Sequence, residues 1–506
     1  MKNIITYILI VGVLFTGCSL EEDPPFLSNE NVYSTAENAR AALDGVYLGL
    51  AGYDLYSNVY YFLNGLYSGY MVSRRGGNSV NTAFNTSIGS LNSSSGELNA
   101  ERVWAQIYVA IARANDVIHS ATADEGSIDP DQMVINDVIG QAYFVRAYSY
   151  FTLVSMWGEV PMRLAPATTE TISLAKSSEA EVYSQIIKDA EMALSLMNGS
   201  AGDQYPQSLA ANMLLSKVYM SLATASADIK SDTADYWQVA YDEAIKVYGQ
   251  YELVGDYDAL FQEVTGDNNV ESIFELQSSD GASHDWVRAY TPNNYTYANT
   301  FGWLQVNADF YDLHANTYPG DPRLTTTYLT SWKQQNNGST TNKYPVNSSR
   351  SSFANAHPFF FKLSEKDPTN EDRVGNQNIV LYRYADLLLM LAEISNELQN
   401  GEQLGYVSEV LGRVGLSPQA KYSGTQADFR EAIMREYQFE LLGEGQDMMT
   451  VRRRGYDWFK ANIIDFHNNN VLFDPSVDVQ HAEGEDVVMR LDIPDLEINA
   501  NLLIQE

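Results

Sequence analysis

Cysteine is almost absent from this 506-residue sequence, which contains a single one, Cys18. One thiol cannot form a disulfide within the chain, so packing and hydrogen bonds alone must hold the fold together. Thiol catalysis is excluded as well, because Cys18 lies directly behind an apolar leader and has another role there.

Basic residues are also scarce, since 31 Lys and Arg stand against 65 Asp and Glu and give a formal net charge of −34. A polyanion would be repelled over most of such a surface, which excludes nucleic acid as a partner. Anionic polysaccharides are disfavoured for the same reason, although a local basic patch could override the average. The charge therefore favours a neutral partner.

Motifs for catalysis and cofactor binding are missing. The sequence has no Gly-x-Ser-x-Gly, no phosphate-binding glycine loop and no His-Glu-x-x-His, and its six histidines are dispersed. Its acidic residues could supply a glycosidase-like carboxylate pair, but nothing singles one out. Asp256 to Asp258 and Asp267 to Asn269 offer oxygen ligands without the calcium-loop pattern, which leaves calcium open but not indicated. We therefore expect no enzyme, no catalytic residues, no metal site and no cofactor.

The N-terminus has the layout of a secretory leader. Lys2 supplies a positive start, residues 4–15 are apolar, and Phe15-Thr16-Gly17-Cys18 resembles a bacterial lipobox. The apolar stretch is too short for a membrane helix, which needs about 20 residues. We predict that a signal peptide, residues 1–17, is removed and that Cys18 is acylated, which would anchor the body of the protein in a membrane.

Helical periodicity dominates the N-terminal half of the chain. Apolar segments recur at residues 101–119, 141–154, 179–197, 208–223 and 236–248, with small residues such as Ala110 and Ala244 where helices must approach closely. Their spacing is typical of degenerate tetratricopeptide-like helix pairs. From about residue 257 to 375 the composition changes to Asn, Ser, Thr, Gly and aromatic residues, and helical periodicity returns at Ile379.

These changes of pattern predict a mainly α-helical protein with a scaffold of tetratricopeptide-like helix pairs and a loop-rich part. The predicted parts are the signal peptide (1–17), a lipidated tether (18–34), the helical scaffold (35–256), the loop-rich ligand-binding part (257–376) and a C-terminal helical and irregular part that completes the fold (377–506).

Several segments, in this order, resemble the SusD/RagB family, which consists of surface lipoproteins of the Bacteroidota that bind nutrients. They are Gln141 to Tyr148, Trp157 to Pro161, Glu271 to Gln277, Asp321 to Leu324, Tyr382 to Glu393, Arg435 to Gly445 with Arg452 and Arg453, and Ile493 to Asn499. The acidic run Ser19 to Asp23 is similar to the signal that sends such lipoproteins to the outer face of the outer membrane.

The resemblance implies a lipid-anchored protein at the cell surface that docks onto a SusC-like, TonB-dependent outer-membrane transporter through its helical part. It also implies a mainly α fold of about four tetratricopeptide-like helix pairs, packed against a loop-rich part that carries the ligand site. Charges among apolar neighbours in the shared segments are expected to be paired and hydrogen-bonded groups that lock helices together. They are Arg383, Asp386, Arg435, Glu436, Glu440 and Glu444.

The family segments do not specify ligand residues, so we predict these from chemistry. Sugar rings stack their C–H faces on aromatic rings and are oriented by polar side chains. The densest mixture of both runs from Trp286 to Trp303, and its candidates are Trp286, Tyr290, Asn294, Tyr295 and Trp303. Loop placement predicts that their rings are exposed.

A second candidate cluster surrounds the glycine pair at residues 76–77. From it we predict Tyr67, Tyr70 and Arg75 as ligand residues. Trp332 and Tyr344 are minor candidates beside an Asn- and Ser-rich excursion.

The resulting hypothesis is a non-catalytic protein that captures a neutral oligosaccharide or polysaccharide and passes it to the transporter. Two alternatives stay open, a peptide-binding lid of a peptide importer, as in the RagB branch, and a purely structural transporter adaptor. The sequence does not name the sugar, its linkage or its length.

Overall fold

The computed structural model describes residues 33, 35–73, 91, 94–168, 174–231, 234–278, 283–344, 357–469 and 489–494. Helices dominate and the strands are short, which confirms the mainly α prediction. Within these ranges, no helix combines the length and the apolar character needed to cross a bilayer. Cys18 and Arg75 lie outside the described residues.

The helices are α1 (Ala36–Leu50), α2 (Val59–Tyr67), α3 (Leu98–Ser120), α4 (Pro130–Trp157), α5 (Glu179–Leu196), α6 (Ser208–Thr224), α7 (Tyr236–Val247), α8 (Trp286–Tyr290), α9 (Ala308–Thr317), α10 (Arg323–Thr327), α11 (Tyr384–Leu398), α12 (Gln403–Arg413), α13 (Gln426–Leu441), α14 (Asp447–Arg452), α15 (Tyr456–Phe459) and α16 (Asp465–Asn468). A π-helical turn, Lys460–Ile464, and two 3₁₀ turns, Asp258–Phe261 and Ala420–Ser423, complete the helical segments that the structure describes.

The strands are β1 (Met71–Ser73), β2 (Val160–Pro161), β3 (Lys176–Ser177), β4 (Ser272–Leu276), β5 (Leu304–Val306), β6 (Tyr328–Leu329), β7 (Ser331–Lys333), β8 (Thr340–Asn342), β9 (Phe359–Phe360) and β10 (Ile379–Arg383).

Eight of the helices form four pairs that stack side by side as in a tetratricopeptide array. The pairs are α1 with α3, α4 with α5, α6 with α7, and α11 with α12, and each packs on the next in this order. The first three pairs lie inside the predicted scaffold. The fourth follows the loop-rich part in the sequence and packs against α7, so the array draws on both halves of the chain.

Local signals explain where these helices begin and end. The carboxylate of Asp129 accepts hydrogen bonds from the N–H groups of Asp131 and Gln132, and Pro130 occupies the first position of α4. Gly158 ends the same helix with φ of +77°, a conformation that suits glycine. Ser178 and Glu181 cap α5 reciprocally.

Small residues allow the helices to approach closely. A Cβ atom on Gly49 of α1 would lie 2.8 Å from the Cα of Ala110 in α3, and one on Gly140 of α4 would lie 2.8 Å from the backbone nitrogen of Met197. Ala110, which the sequence pattern placed where helices approach closely, therefore lies at a close contact between α1 and α3.

The loop-rich part is built around a four-stranded antiparallel sheet with the order β1-β5-β9-β6. A second antiparallel pair joins β4 to β10, and β10 continues directly into α11. Because β4 also packs on α6, this pair ties the loop-rich part to the helix array.

A buried network of charges locks these parts together. At the end of β10, the guanidinium of Arg383 donates to carboxylate oxygens of Glu271, Glu440 and Glu444, each at 2.7 Å. Although burial alone would raise it, the nearby arginines hold the pKa of Glu440 well below its usual range. The predicted pairing is confirmed for Arg383, Glu440 and Glu444.

The other predicted charges are also bound. Asp386 pairs with Lys217 of α6 at 2.7 Å, and Glu436 pairs with Arg323 at 2.5 Å. Arg435 has neutral partners, unlike the other five charges. It donates to the amide oxygens of Gln438 and Asn462 at 2.9 and 3.0 Å.

Candidate ligand-binding surface

The short helix α8 buries two of the predicted ligand residues. Trp286 is 2% exposed, and its indole N–H donates to the carbonyl oxygen of Tyr56 at 3.3 Å. Tyr290 has no exposed surface, and its hydroxyl donates to the carbonyl oxygen of Asn58 at 2.8 Å. The prediction that these two rings are exposed is wrong, because a helix formed where the composition indicated loop, and one face of it packs on residues 56–61.

Tyr67 and Tyr70, which were predicted as ligand residues, are also buried, so neither ring is open to a ligand. Tyr67 ends α2, every residue of which is buried, and the guanidinium of Arg452 lies 4.2 Å from its ring centroid. Burial raises the pKa of Tyr67 to about 12. The ring of Tyr70 packs on Phe310 with 4.7 Å between centroids.

The loop after α8 leaves the remaining candidates, Asn294, Tyr295 and Trp303, half-buried. Asn294 adopts φ of +62°, and its carbonyl oxygen accepts a hydrogen bond from the N–H of Gln335 at 2.9 Å. The Tyr295 hydroxyl donates to the carbonyl oxygen of Lys366 at 3.0 Å. These contacts hold the loop in place while part of each side chain faces solvent.

Trp303 belongs to a continuous set of rings that we call the aromatic band, which consists of Phe301, Trp303, Phe359 and Trp332. Phe301 and Trp303 are parallel, with 5.5 Å between centroids and 7° between planes. A Cβ atom on Gly302, between them, would meet the Phe359 ring at 2.7 Å. Trp332 of the β7–β8 hairpin contacts Phe359 edge to face at 5.5 Å.

Cationic side chains flank the aromatic band. The guanidinium carbon of Arg288 lies 4.9 Å from the centroid of Phe301, and the ammonium of Lys343 lies 5.1 Å from that of Phe359. Phe359 and Lys343 are buried, so the rings that can stack on a neutral sugar face are those of Phe301, Trp303 and Trp332, with Arg288 beside them to orient hydroxyl groups. The arrangement can therefore bind a polar ligand without any reactive group.

Two residues of this surface, Tyr297 and Trp332, were not among the main ligand residues predicted from the sequence. Tyr297 is 59% exposed and stands in the same loop, although the prediction favoured its neighbours. Trp332, only a minor candidate, contributes to the aromatic band, whereas Tyr344 is 5% exposed and its hydroxyl hydrogen-bonds to Asp312 at 2.7 Å. The two residues are far apart in the sequence, so no sequence pattern could predict that Trp332 and the segment of Trp303 both lie next to Phe359.

The register of β1 on β5 brings the strand that follows Tyr70 beside the strand that follows Trp303. Ser73, the last residue of β1, pairs with Leu304 of β5, next to Trp303. The ring of Phe62 in α2 also lies 6.0 Å from that of Trp303. The end of β1 therefore lies beside Trp303 of the aromatic band.

Metal ligation finds no support among the described residues, where no three His, Cys, Asp or Glu side chains are placed to hold an ion. Asp258 accepts hydrogen bonds from Gln262 and Thr326, and Asp267 accepts one from the N–H of Asn378 at 2.7 Å. The oxygen atoms that left calcium open in the sequence thus serve local structure.

The described residues thus define a class of fold, in which a tetratricopeptide-like helix array supports an aromatic, loop-borne surface. Two family models match the chain, one described as "Starch-binding associating with outer membrane" over residues 28–220 and one as "SusD family" over residues 262–505. The chain belongs to the SusD/RagB family.

Similar proteins cover almost all of the chain. The SusD-like protein P2 of Formosa agariphila is 26% identical, with 99% of this chain and 98% of that protein aligned. A crystal structure of a SusD homolog from Bacteroides thetaiotaomicron superposes with a TM-score of 0.78 at 19% identity, covering 94% of this chain and 97% of that one. A structure described as a laminarin-binding SusD-like protein has a TM-score of 0.68 at 21% identity, covering 92% and 97%.

Proposed function

We propose that this protein is a non-catalytic glycan-binding lipoprotein of the cell surface, which captures oligosaccharides and delivers them to a SusC-like, TonB-dependent transporter. The observation that carries the proposal is the aromatic band, in which the parallel rings of Phe301 and Trp303 are partly open to solvent beside Arg288. Tyr295, Tyr297 and Asn294 in the same loop would complete the contact.

The chemistry favours a neutral glycan at this surface. Stacking on rings requires apolar C–H faces, which neutral sugars offer, while the net charge of −34 repels polyanions. The similar protein described as laminarin-binding supports the same class of ligand. A wet surface of this kind gains little per hydroxyl group, so we expect affinities of roughly micromolar to millimolar Kd, which also permits release.

The proposal includes anchoring at the membrane and delivery to the transporter. Acylated Cys18 would hold the protein at the outer membrane, and the helix array would dock on the transporter. One matching family model is described as associating with the outer membrane, which is consistent with this location. Cys18→Ala should move the protein from the membrane fraction to the soluble fraction, and retention in the membrane would contradict lipidation.

The glycan surface is tested by calorimetry with laminari-oligosaccharides and other neutral oligosaccharides. Trp303→Ala should weaken binding by about tenfold, or about 1.4 kcal/mol, because one stacking face is lost. Trp458→Ala is a matched control, since that indole is also half-buried but donates to Glu431 at 3.0 Å outside the aromatic band. Equal affinities of the two variants would contradict the proposed surface.

A peptide-binding lid remains the alternative, and the same titrations separate it from the glycan hypothesis. Heat from peptides, with none from any glycan, would support the peptide importer. If neither class binds and Trp303→Ala changes only stability, the protein is a structural adaptor.

A further inference from the structure

Two irregular segments lie side by side at the glycan surface. One, residues 291–303, carries Tyr295, Tyr297 and Trp303, and we call it the ligand loop. The other, residues 365–373, we call the brace. Hydrogen bonds join the two segments along their length, so the conformation of the ligand loop depends on that of the brace. The donors and acceptors are the Glu365 N–H with the Thr291 hydroxyl at 2.9 Å, the Tyr295 hydroxyl with the Lys366 carbonyl oxygen at 3.0 Å, and the Ala298 N–H with the Asn370 carbonyl oxygen at 3.1 Å.

The side chain of Lys366 ties the brace to the folded body. Its ammonium donates to the carbonyl oxygen of Phe361 at 2.6 Å and to that of Thr326, in α10, at 3.3 Å. The same ammonium lies 3.8 Å from the centroid of the Phe361 ring, which is a cation–π contact. These contacts fix the start of the brace against α10 and the chain that follows β9.

Tyr295 of the ligand loop contacts the same two residues. Its hydroxyl donates to the carbonyl oxygen of Lys366 at 3.0 Å. Its ring packs edge to face on Phe361, with 5.1 Å between centroids and 74° between planes. A change at the ammonium of Lys366 therefore reaches Tyr295 through one shared ring and through the backbone of Lys366 itself.

The charge of Lys366 changes near neutral pH. Removal from water lowers the pKa of its ammonium to about 7. The charged groups that face it are Asp258 of the 3₁₀ turn and Glu365 of the brace, which favour the charged form, and Lys362, which opposes it. Above pH 7 the neutral amine still has hydrogens to donate, but it loses the cation–π attraction to Phe361 and the extra strength of charge-assisted hydrogen bonds.

We propose that Lys366 is a positioning residue of the glycan surface, whose ammonium fixes the brace and, through Phe361, the ring of Tyr295. The charged form keeps the ligand loop in the conformation that binds glycan, and loss of the proton loosens it. Because affinity scales with the fraction of molecules in the competent conformation, it falls as the pH rises through 7. The inference rests on the proposed glycan-binding function and adds a dependence on pH to it.

The test is calorimetry of the full-length protein with laminari-oligosaccharides at pH 6 and pH 8. The wild type should bind at least about threefold more weakly at pH 8 than at pH 6. Lys366→Met keeps an unbranched side chain without the charge, so it should bind at pH 6 at least about threefold more weakly than the wild type and equally at both pH values. Lys366→Arg stays charged at both pH values and should bind more tightly than Lys366→Met at each.

Lys421→Met is the matched control, because Lys421 is an exposed lysine in the 3₁₀ turn that precedes α13. Its affinities should follow those of the wild type at both pH values. Hydrogen–deuterium exchange without ligand gives a second readout, since the Ala298 N–H should exchange at least about threefold faster in Lys366→Met than in the wild type at the same pH.

Equal wild-type affinities at pH 6 and pH 8, or wild-type affinity in Lys366→Met, would overturn the positioning role. Unchanged exchange of the Ala298 N–H in Lys366→Met would overturn the role of the brace. An absence of glycan binding by the wild type would reject the proposed function and this inference with it, whereas failure of the inference alone leaves wild-type binding intact.

Discussion

Asp447 is a buried carboxyl group whose oxygens accept the N–H of Gly443 at 3.0 and 3.2 Å. Burial raises its pKa from 3.8 to about 7. Between about pH 4 and pH 7 the folded protein therefore holds a proton that the unfolded chain releases, so the free energy of unfolding falls as the pH rises through this window.

Replacement of Asp447 by Asn should remove this pH dependence, because the amide oxygen still accepts the Gly443 N–H but no longer titrates. From about pH 5 to pH 7 the wild type should lose about 2 kcal/mol of unfolding free energy relative to Asp447→Asn. Urea denaturation at both pH values measures the difference, and parallel pH profiles would contradict it.

The roles of individual rings show how far the sequence predicts this surface. Tyr290 and Tyr297 stand seven positions apart in one aromatic-rich stretch, yet the first is buried and the second is 59% exposed. The tertiary contact with Asn58, which lies far away in the sequence, decides between them. Composition therefore located the loop that carries the aromatic band, but it could not assign exposure ring by ring.

At the scale of the helices, we predict opposite changes in stability for two glycine-to-alanine substitutions. Gly140→Ala in α4 should destabilise the protein by about 1–3 kcal/mol, because its Cβ would lie 2.8 Å from the backbone nitrogen of Met197. Gly45→Ala in α1 should stabilise it by about 0.5–1 kcal/mol, since nothing lies within 4 Å of the new Cβ and alanine favours the helix.

Chemical denaturation of the two alanine variants provides the comparison, because each adds one methyl group to the middle of a helix. A stabilising effect of Gly140→Ala would mean that α4 and the end of α5 can separate at little cost.

The presence of the long helices was predicted well, because apolar residues at helical spacing over a long stretch identify such a helix. The segments at 179–197, 208–223 and 236–248 correspond to α5, α6 and α7. The five-residue helix α8 was not predicted, since a single turn shows no periodicity. That omission is the physical reason that Trp286 and Tyr290 were expected in an open loop.

Over the whole molecule, the charge network is the feature whose loss should cost most. Arg383→Ala leaves Glu271, Glu440 and Glu444 without their shared partner in a buried site. We expect a loss of about 3–5 kcal/mol in the free energy of unfolding, because the buried carboxylates then lack one of their cations, although Arg323, Arg413 and Lys362 still pair with them.

Lys460→Ala is the control for this prediction, because its ion pair with Asp465 at 2.7 Å lies on the surface. Its denaturation midpoint should match the wild type. If Arg383→Ala also unfolds at the wild-type midpoint, the network does not stabilise the fold.

The general order of the parts was predicted from the sequence, but the origin of the fourth helix pair was not. Periodicity showed helices at Ile379 and beyond without indicating what they pack against. The contact of α11 with α7 depends on the path of the chain through the loop-rich part, and a sequence pattern does not encode that path.

The late position of α11 and α12 in the chain has a consequence for biogenesis. As the chain is synthesised, α7 emerges long before the helix that covers it, so its apolar face stays uncovered until α11 has been added. Closing so long a loop is slow, and the waiting intermediate is prone to aggregation. We therefore expect a chain that ends after α7 to aggregate, whereas the full chain covers that face with α11.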